Sequence, residues 1–186
     1  TLHVGDQVNT RHHGAQTIRW IGKRSLKLAP YFPKDRFRPI KISIGALGQG
    51  LPREPLRLSR QHRILVSSPV NQRMFGTPDS LIAAVKLIDL TGIHIDTDCT
   101  EVTYIHLLFD QHEVIFANGA PCESRHTGPE ALKSISSAAR AELFAIFPEL
   151  MTAPSQHRLA ALCPENRQQR QLIARHKKNK KPLLCL

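Results

Sequence analysis

The sequence has few aromatic residues, no closely paired cysteines and no long apolar run. Phe, Trp and Tyr make up 5% of its 186 residues, which leaves little material for a surface that stacks nucleic-acid bases. No stretch approaches the roughly 20 apolar residues that a membrane-spanning helix needs, so neither a membrane span nor a signal peptide is expected. A globular chain with 41% hydrophobic residues is the class that remains.

The cysteines and histidines do not form a metal-binding motif. None of the four cysteines belongs to a C-x-x-C pair, the spacing typical of zinc ribbons and thioredoxin-like centres. The ten histidines include no H-x-x-x-H pair. We therefore expect no metal and no other cofactor. The four cysteines are Cys99, Cys122, Cys163 and Cys185.

Acidic residues are outnumbered by 26 Lys and Arg to 15 Asp and Glu, a formal net charge of +11. Much of the excess falls in a C-terminal segment, 151–186, which we separate from a domain over 1–150. A solvated tail is the simplest interpretation of such a segment, and a surface that contacts nucleic acid or another anion is the alternative. No sequence-specific contact with nucleic acid is expected. The basic residues are Arg167, Arg170, Arg175, Lys177, Lys178, Lys180 and Lys181.

Short apolar segments broken by Gly and Pro dominate residues 4–70 and predict strands joined by tight turns. A hairpin is expected over 8–21 with Gly14 in its turn, because glycine adopts positive φ without strain. Residues 31–39 resemble a loop, and a strand follows over 40–44. Residues 56–66 are expected to form a strand, or a strand with a bend.

The second half of the chain mixes strand and helix patterns. Apolar residues at helical spacing predict a short inserted helix over 78–90. Two β-rich runs, 101–109 and 113–117, suggest a hairpin, and Asn118-Gly119 marks a turn after the second run. A C-terminal amphipathic helix is predicted over 129–150. The fold class expected is thus mainly β.

Ser59 and His62 are the first candidate site residues. They stand three positions apart between apolar residues that would anchor them in a sheet. A hydroxyl can orient a peptide bond, and an imidazole that titrates near neutrality can give a proton to a leaving nitrogen. On spacing alone a structural histidine is the commoner explanation of such a pair.

His106 is the third candidate. It shares strand parity with Tyr104 and Leu108, so the three side chains should lie on one face. Asp110, His112 and Glu113 follow, and for His112 an exposed turn is expected. The two polar sets form one site only if the fold brings the two strands together.

Several motifs occur in an order that resembles one known family. In this order the chain resembles bacterial Hint domains, the self-processing modules related to Hedgehog and intein proteins. The resemblance covers residues 2–150 and implies a compact, horseshoe-like, all-β module. The motifs are Leu2–Thr10, Ile18–Gly22, Gly45–Gly48, Leu58–Leu65, Tyr104–Ile115, Asn118-Gly119 and Glu123-Ser124.

The resemblance also implies a chemistry. In the family a first Cys or Ser attacks the preceding peptide carbonyl and forms a thioester or ester, which a second nucleophile or water resolves. His62 would protonate the scissile nitrogen, Ser59 would hold that bond in place, and His106 would assist. The reaction is a rearrangement of the protein's own backbone, attached to an N-terminal host domain, and not turnover of a separate substrate. Secretion as part of a larger bacterial protein is an expectation from the same resemblance.

The family pattern is incomplete here. The expected first Cys would precede the Gly5-Asp6 strand by roughly two dozen residues, and Thr1 stands too close to that strand to replace it. A C-terminal His-Asn followed by a nucleophile is also missing, since Asn118 precedes Gly119. We therefore expect a truncated copy that is inactive by itself, whose intact parent cleaves or transfers an acyl group without splicing. A conventional hydrolase that uses Ser59 and His62 in trans remains a weaker alternative, because spacing supplies neither an orienting carboxylate nor an oxyanion hole.

Overall fold

A computed structural model of the chain describes residues 1–28, 37–124, 137, 141, 144 and 159–185. Within these ranges the chain forms two α-helices, α1 (Pro69–Phe75) and α2 (Asn166–Asn179), and a 3-10 turn at Ala84–Leu87. The strands are β1 (Gln7–Thr10), β2 (Gly14–Thr17), β3 (Trp20–Lys27), β4 (Ile40–Ile42), β5 (Leu56–Leu58), β6 (Arg63–Ser67), β7 (Asp79–Ala83), β8 (Ile93–Ile95), β9 (Glu101–Leu108), β10 (Val114–Ala117) and β11 (Ala120–Glu123).

The strands form three sheets. A six-stranded sheet has the order β2-β1-β10-β11-β6-β7, a three-stranded sheet has the order β5-β4-β8, and β3 pairs with β9. Every pairing between these strands is antiparallel. The prediction of a mainly β fold is confirmed.

The largest apolar core joins two sheets to both helices. It combines buried residues of β4, β5 and β8 with residues of β6, β7 and β11. Val70 of α1 and Leu172 and Ile173 of α2 complete it. Because β5 and β6 are consecutive strands of different sheets, the turn between them lies beside this core.

Four local predictions are confirmed. β1 and β2 form the expected hairpin, and Gly14 has φ +64°. Ile40 and Ile42 are buried in β4. Residues 56–67 form two strands with a bend between them. Asn118 and Gly119, at φ +50° and +82°, form the two-residue turn between β10 and β11, as the primed hairpin turns require.

The predicted helix over 78–90 is wrong. Residues 79–83 form strand β7, and a 3-10 turn follows it. Leu81 packs with Leu65 and Val114, whereas Ile82 belongs to the main core. Adjacent apolar residues therefore point to two covered faces of a strand, and the spacing that resembled a helix arises from this two-sided burial.

The predicted hairpin over 101–117 is also wrong. β9 pairs along its whole length with β3, from Trp20↔Leu108 to Lys27↔Glu101. β10 instead pairs with β1 and β11 in another sheet. The two β-rich runs are adjacent in sequence but belong to different sheets, and strand propensity does not specify the partner.

The C-terminal residues 159–185 pack against the β body. Leu183 and Leu184 are buried in the main core, and Leu184 bridges to Ser67 of β6. Leu162 bridges to Ser80 of β7, which extends the edge of the six-stranded sheet. The predicted amphipathic helix over 129–150 lies almost entirely outside the described residues, and the division at residue 150 stays a prediction. None of the helices in the described ranges is long and apolar enough to cross a membrane.

Candidate active site

The bend between β5 and β6 carries Ser59 and His62. A hydrogen bond from His62 N to Ser59 O, 3.2 Å long, closes the bend. The bend is also tied to the 3-10 turn, because Ala84 N donates to His62 O and Val85 N donates to Arg60 O, each at 2.9 Å. Ser59 is buried. The main chain around both candidate residues is therefore held from two sides.

His106 lies next to His62. It stands in β9 opposite Gly22 of β3, on the side of the strand that also buries Val102 and Tyr104. The two imidazole rings have centroids 5.2 Å apart and planes inclined by 40°. The three-stranded, six-stranded and two-stranded sheets thus meet at this pair of rings.

The Nε2 atom of His62 is buried, although the residue as a whole is partly exposed. Among the residues that the structure describes, no hydrogen-bond partner reaches this atom. A buried polar atom without a partner is costly, and such atoms concentrate where a reacting group or ligand belongs. His62 Nε2 is therefore the reactive atom that the geometry singles out.

A buried ion pair adjoins the histidine. Glu123 Oε1 accepts the backbone N–H of Arg63 at 2.8 Å, and Glu123 Oε2 accepts from Arg63 Nη1 at 3.0 Å. Side-chain exposures of 8% for Arg63 and 12% for Glu123 place the pair in the protein interior. A buried charge without its partner would be strongly destabilising, so the two residues must be considered together.

Burial and charge oppose each other in setting the pKa values here. Burial lowers the pKa of His62 below its ordinary 6.5; the charge of Glu123 acts to raise it, and that of Arg63 adds to the lowering. For Glu123, burial would raise the pKa, but Arg63, His62 and His112 outweigh that effect and bring it to about 2. The carboxylate is therefore ionised at neutral pH, and it favours the protonated form of His62.

His112 and Glu113 are buried, which corrects the expected exposed turn. His112 is 2% exposed and Glu113 has no exposed surface. His112 Nε2 lies 3.7 Å from Glu123 Oε2, and His112 Nδ1 accepts from Ala160 N at 3.0 Å. Glu113 binds the His13 ring at 2.9 Å. The segment after β9 thus connects the candidate site to the C-terminal residues.

Two other residues are excluded from central roles. Cys122 is buried in β11, and burial raises the pKa of its thiol to about 12, so it remains a neutral thiol near pH 7. Asp110, the carboxylate that a Ser59 hydrolase would need beside His62, forms an exposed bidentate pair with Arg19. The carboxylate closest in effect to His62 is that of Glu123.

The family follows from a match over most of the chain. A family model described as the Hint domain matches residues 1–129. This chain belongs to the Hint domain family. The matched range includes Ser59, His62, His106 and Glu123, and the mainly β fold is the one that this family implies. No curated protein and no solved structure matches the chain.

The Hint site combines predicted and unpredicted residues. His62 and His106, predicted from two separate motifs, are brought together; the roles of Ser59, His62 and His106 stay predictions. Sequence reasoning missed the role of Glu123, although Glu123-Ser124 belongs to the motifs that carried the resemblance. It also gave Arg63 no role, since an Arg beside a His is common. Within the described ranges no group of three His, Cys, Asp or Glu side chains could hold a metal ion.

Proposed function

We propose that this Hint domain acts in self-processing: His62 protonates the leaving nitrogen of a peptide bond in the domain's own polypeptide. The observation that carries this proposal is the buried and unpartnered Nε2 atom of His62, packed beside His106 in a rigid bend. A general acid must reach the nitrogen that it protonates, and an unoccupied ring nitrogen is the atom free to do so.

The step is an acyl shift. The Sγ or Oγ atom of a nucleophile attacks the carbonyl carbon, the C–N bond breaks, and the nitrogen takes a proton from the His62 imidazolium. The proton released by the nucleophile restores the imidazolium, so the shift consumes no proton overall. Ser59, three residues before His62 in the same bend, is proposed to hold the scissile bond by a hydrogen bond.

The nucleophile is proposed to be a Cys or Ser in the natural chain ahead of Thr1. The described cysteines offer no thiol suited to the task at this site: Cys122 is buried and protonated, and burial also raises the pKa of Cys163. Residues 1–186 alone are accordingly proposed to be inactive. In the parent protein the bond cleaved is the one that joins the host domain to the Hint domain.

The test uses the chain extended by its natural upstream segment. Incubation with and without a strong thiol should release two fragments that are resolved on a denaturing gel. His62→Ala should slow the release about 10²- to 10⁴-fold, the contribution usual for a general acid. His94→Ala, which alters an exposed histidine of β8, is the matched control and should cleave at the wild-type rate. A folded extended chain with an upstream Cys that never cleaves contradicts the proposal.

A second candidate function is supported by the outer face of α2. The inner face buries Gln169, Leu172, Ile173 and His176 against the β body. Every Lys and Arg of the helix is exposed, and Lys180 and Lys181 extend the cationic surface. Such a surface can bind a polyanion through phosphate contacts without reading its sequence.

Binding to double-stranded DNA of random sequence would test this second candidate. Affinity should fall as salt rises, with a slope that reports the number of phosphates contacted. Replacing Arg170, Lys177 and Lys178 by Gln should reduce that slope. The same replacement of Lys23, Arg24 and Lys27, three exposed cations of β3, removes equal charge and should change it less. Absence of binding at low salt eliminates the candidate.

A further inference from the structure

Glu123 stands where the ladder between β11 and β6 ends. The two strands pair at Cys122↔Ile64, so Glu123 comes next to Arg63. At this point the Glu123 side chain, through Oε1, accepts the backbone N–H of Arg63 at 2.8 Å. The carboxylate therefore holds the first residue of β6, and that residue directly follows His62.

The second carboxylate oxygen is occupied as well. Glu123 Oε2 accepts from Arg63 Nη1 at 3.0 Å and lies 3.7 Å from His112 Nε2. Both oxygens of Glu123 are thus engaged by protein groups, and neither is available to receive a proton from a reacting peptide. A direct catalytic role for Glu123 is not supported, whereas an effect transmitted through His62 is.

We propose that Glu123 is a positioning residue of the Hint site: its buried carboxylate fixes the main chain at Arg63 and places a negative charge beside the His62 ring. This role rests on the proposed function of His62 as a proton donor. The geometry satisfies both halves of it, since one oxygen binds the main chain and the charge is buried where solvent screens it little.

The charged and titratable groups around His62 come from several elements. Arg63 of β6 and Glu123 of β11 carry opposite charges, and His106 of β9 contacts the ring. His112 adjoins Glu123, and Cys163, from the C-terminal segment, contacts Arg63. Glu123 is the one anion in this described set. Its removal should leave His62 facing the cation of Arg63 alone, which disfavours the imidazolium.

The experiment follows the His62 ring by NMR titration of the 186-residue chain. Glu123→Gln keeps an acceptor oxygen for the Arg63 N–H but removes the charge, so the His62 midpoint should move to lower pH. Glu123→Asp keeps the charge and should hold the midpoint closer to that of the wild type. Asp89→Asn removes an exposed carboxylate and is the control for net charge, with no shift expected.

A measurement on the wild type covers the case in which Glu123→Gln does not fold. The carboxyl carbon of Glu123 should show a small chemical-shift step at the pH where the His62 ring titrates, because the two charges are coupled. Absence of that step overturns the proposal. So does an unchanged His62 midpoint in folded Glu123→Gln, or an equal shift in Asp89→Asn.

Cleavage gives the second readout. In the extended chain Glu123→Gln should slow cleavage at neutral pH about tenfold or more, and the rate should recover at lower pH as His62 gains its proton. The titration does not depend on cleavage. A coupled titration in a chain that never cleaves refutes the proposed function alone, whereas normal cleavage with an uncoupled titration refutes the role of Glu123 alone.

Discussion

The rings of His62 and His106 lie 5.2 Å apart, centroid to centroid, and are brought together from the bend before β6 and from the middle of β9. The contact joins two sheets that share no strand. A ring packed against His62 restricts the rotation of the proton donor, and loss of orientation is costly in catalysis. His106 therefore has a role that depends on its shape.

Replacement of His106 should separate shape from proton transfer. His106→Ala should slow cleavage of the extended chain roughly tenfold through lost orientation, a smaller loss than that of His62→Ala. His106→Phe keeps a planar ring and should retain most of the rate. Rates are read from fragment bands over time. If the Phe variant is as slow as the Ala variant, a ring nitrogen of His106 takes part directly.

Acid should destabilise the fold in two stages. His62 and His176 have pKa values lowered by burial, so the unfolded chain takes up protons first as the pH falls through 6.5. Glu123, with a pKa of about 2 against an ordinary 4.5, adds stability that is present above pH 4.5 and is lost as the pH falls toward 2. From this difference its contribution is about 3 kcal/mol.

Urea unfolding across the acid range measures both stages. The free energy of unfolding should decline from neutral pH downward, with a further decline below pH 4.5. Glu123→Gln, compared with Asp89→Asn, should lose the second stage and keep the first. A stability that stays constant between neutral pH and pH 4.5 would contradict the assignment of buried neutral histidines.

Local sequence signals predicted the fold where one residue type decides the geometry. Gly14 and Asn118-Gly119 marked turns because their backbone conformations suit few other residues. The same kind of signal was present but unused at α1, where the Ser68 side chain accepts from Asn71 N, Pro69 opens the helix and Gly76 closes it at φ +73°.

Long-range pairing was the part that the sequence did not reveal. β9 carries strand propensity throughout, but its partner is β3 and not the neighbouring β10. Glu123 was inconspicuous for the same reason. Its role depends on the pairing of β11 with β6, which brings it to Arg63 across a wide separation in the chain. Contacts of this kind follow from topology, which propensity and spacing do not encode.

The cysteines should differ sharply in their reactivity toward a thiol reagent. Cys185 is exposed, whereas Cys122 is 2% exposed and its pKa is raised to about 12. Since the thiolate is the reacting species, Cys185 should be modified rapidly in the native protein and Cys122 only after unfolding. Mass spectrometry of digested, labelled protein distinguishes the two. Rapid native labelling of Cys122 would mean that β11 opens readily.

Gly48 should be essential to the docking of the C-terminal residues. Its φ is +99°, and a Cβ atom there would lie 2.5 Å from Pro182 Cβ and 3.1 Å from Leu184 O. Leu184 N also donates to Leu47 O at 2.9 Å, so the two segments cannot separate without loss of that bond and of the buried Leu184 side chain. Gly48→Ala combines backbone strain with this overlap and should cost about 2–4 kcal/mol of stability.

Gly50→Ala is the matched control for Gly48→Ala. Gly50 also has a positive φ, +70°, but nothing lies within 4 Å of its Cβ position. Its substitution therefore carries only the backbone strain, on the order of 1 kcal/mol. Urea unfolding gives the two free energies, and hydrogen exchange at Leu184 N reports whether the C-terminal segment has lifted. Equal losses in the two variants, with Leu184 still protected, would show that the close approach of Pro182 to Gly48 contributes nothing to stability.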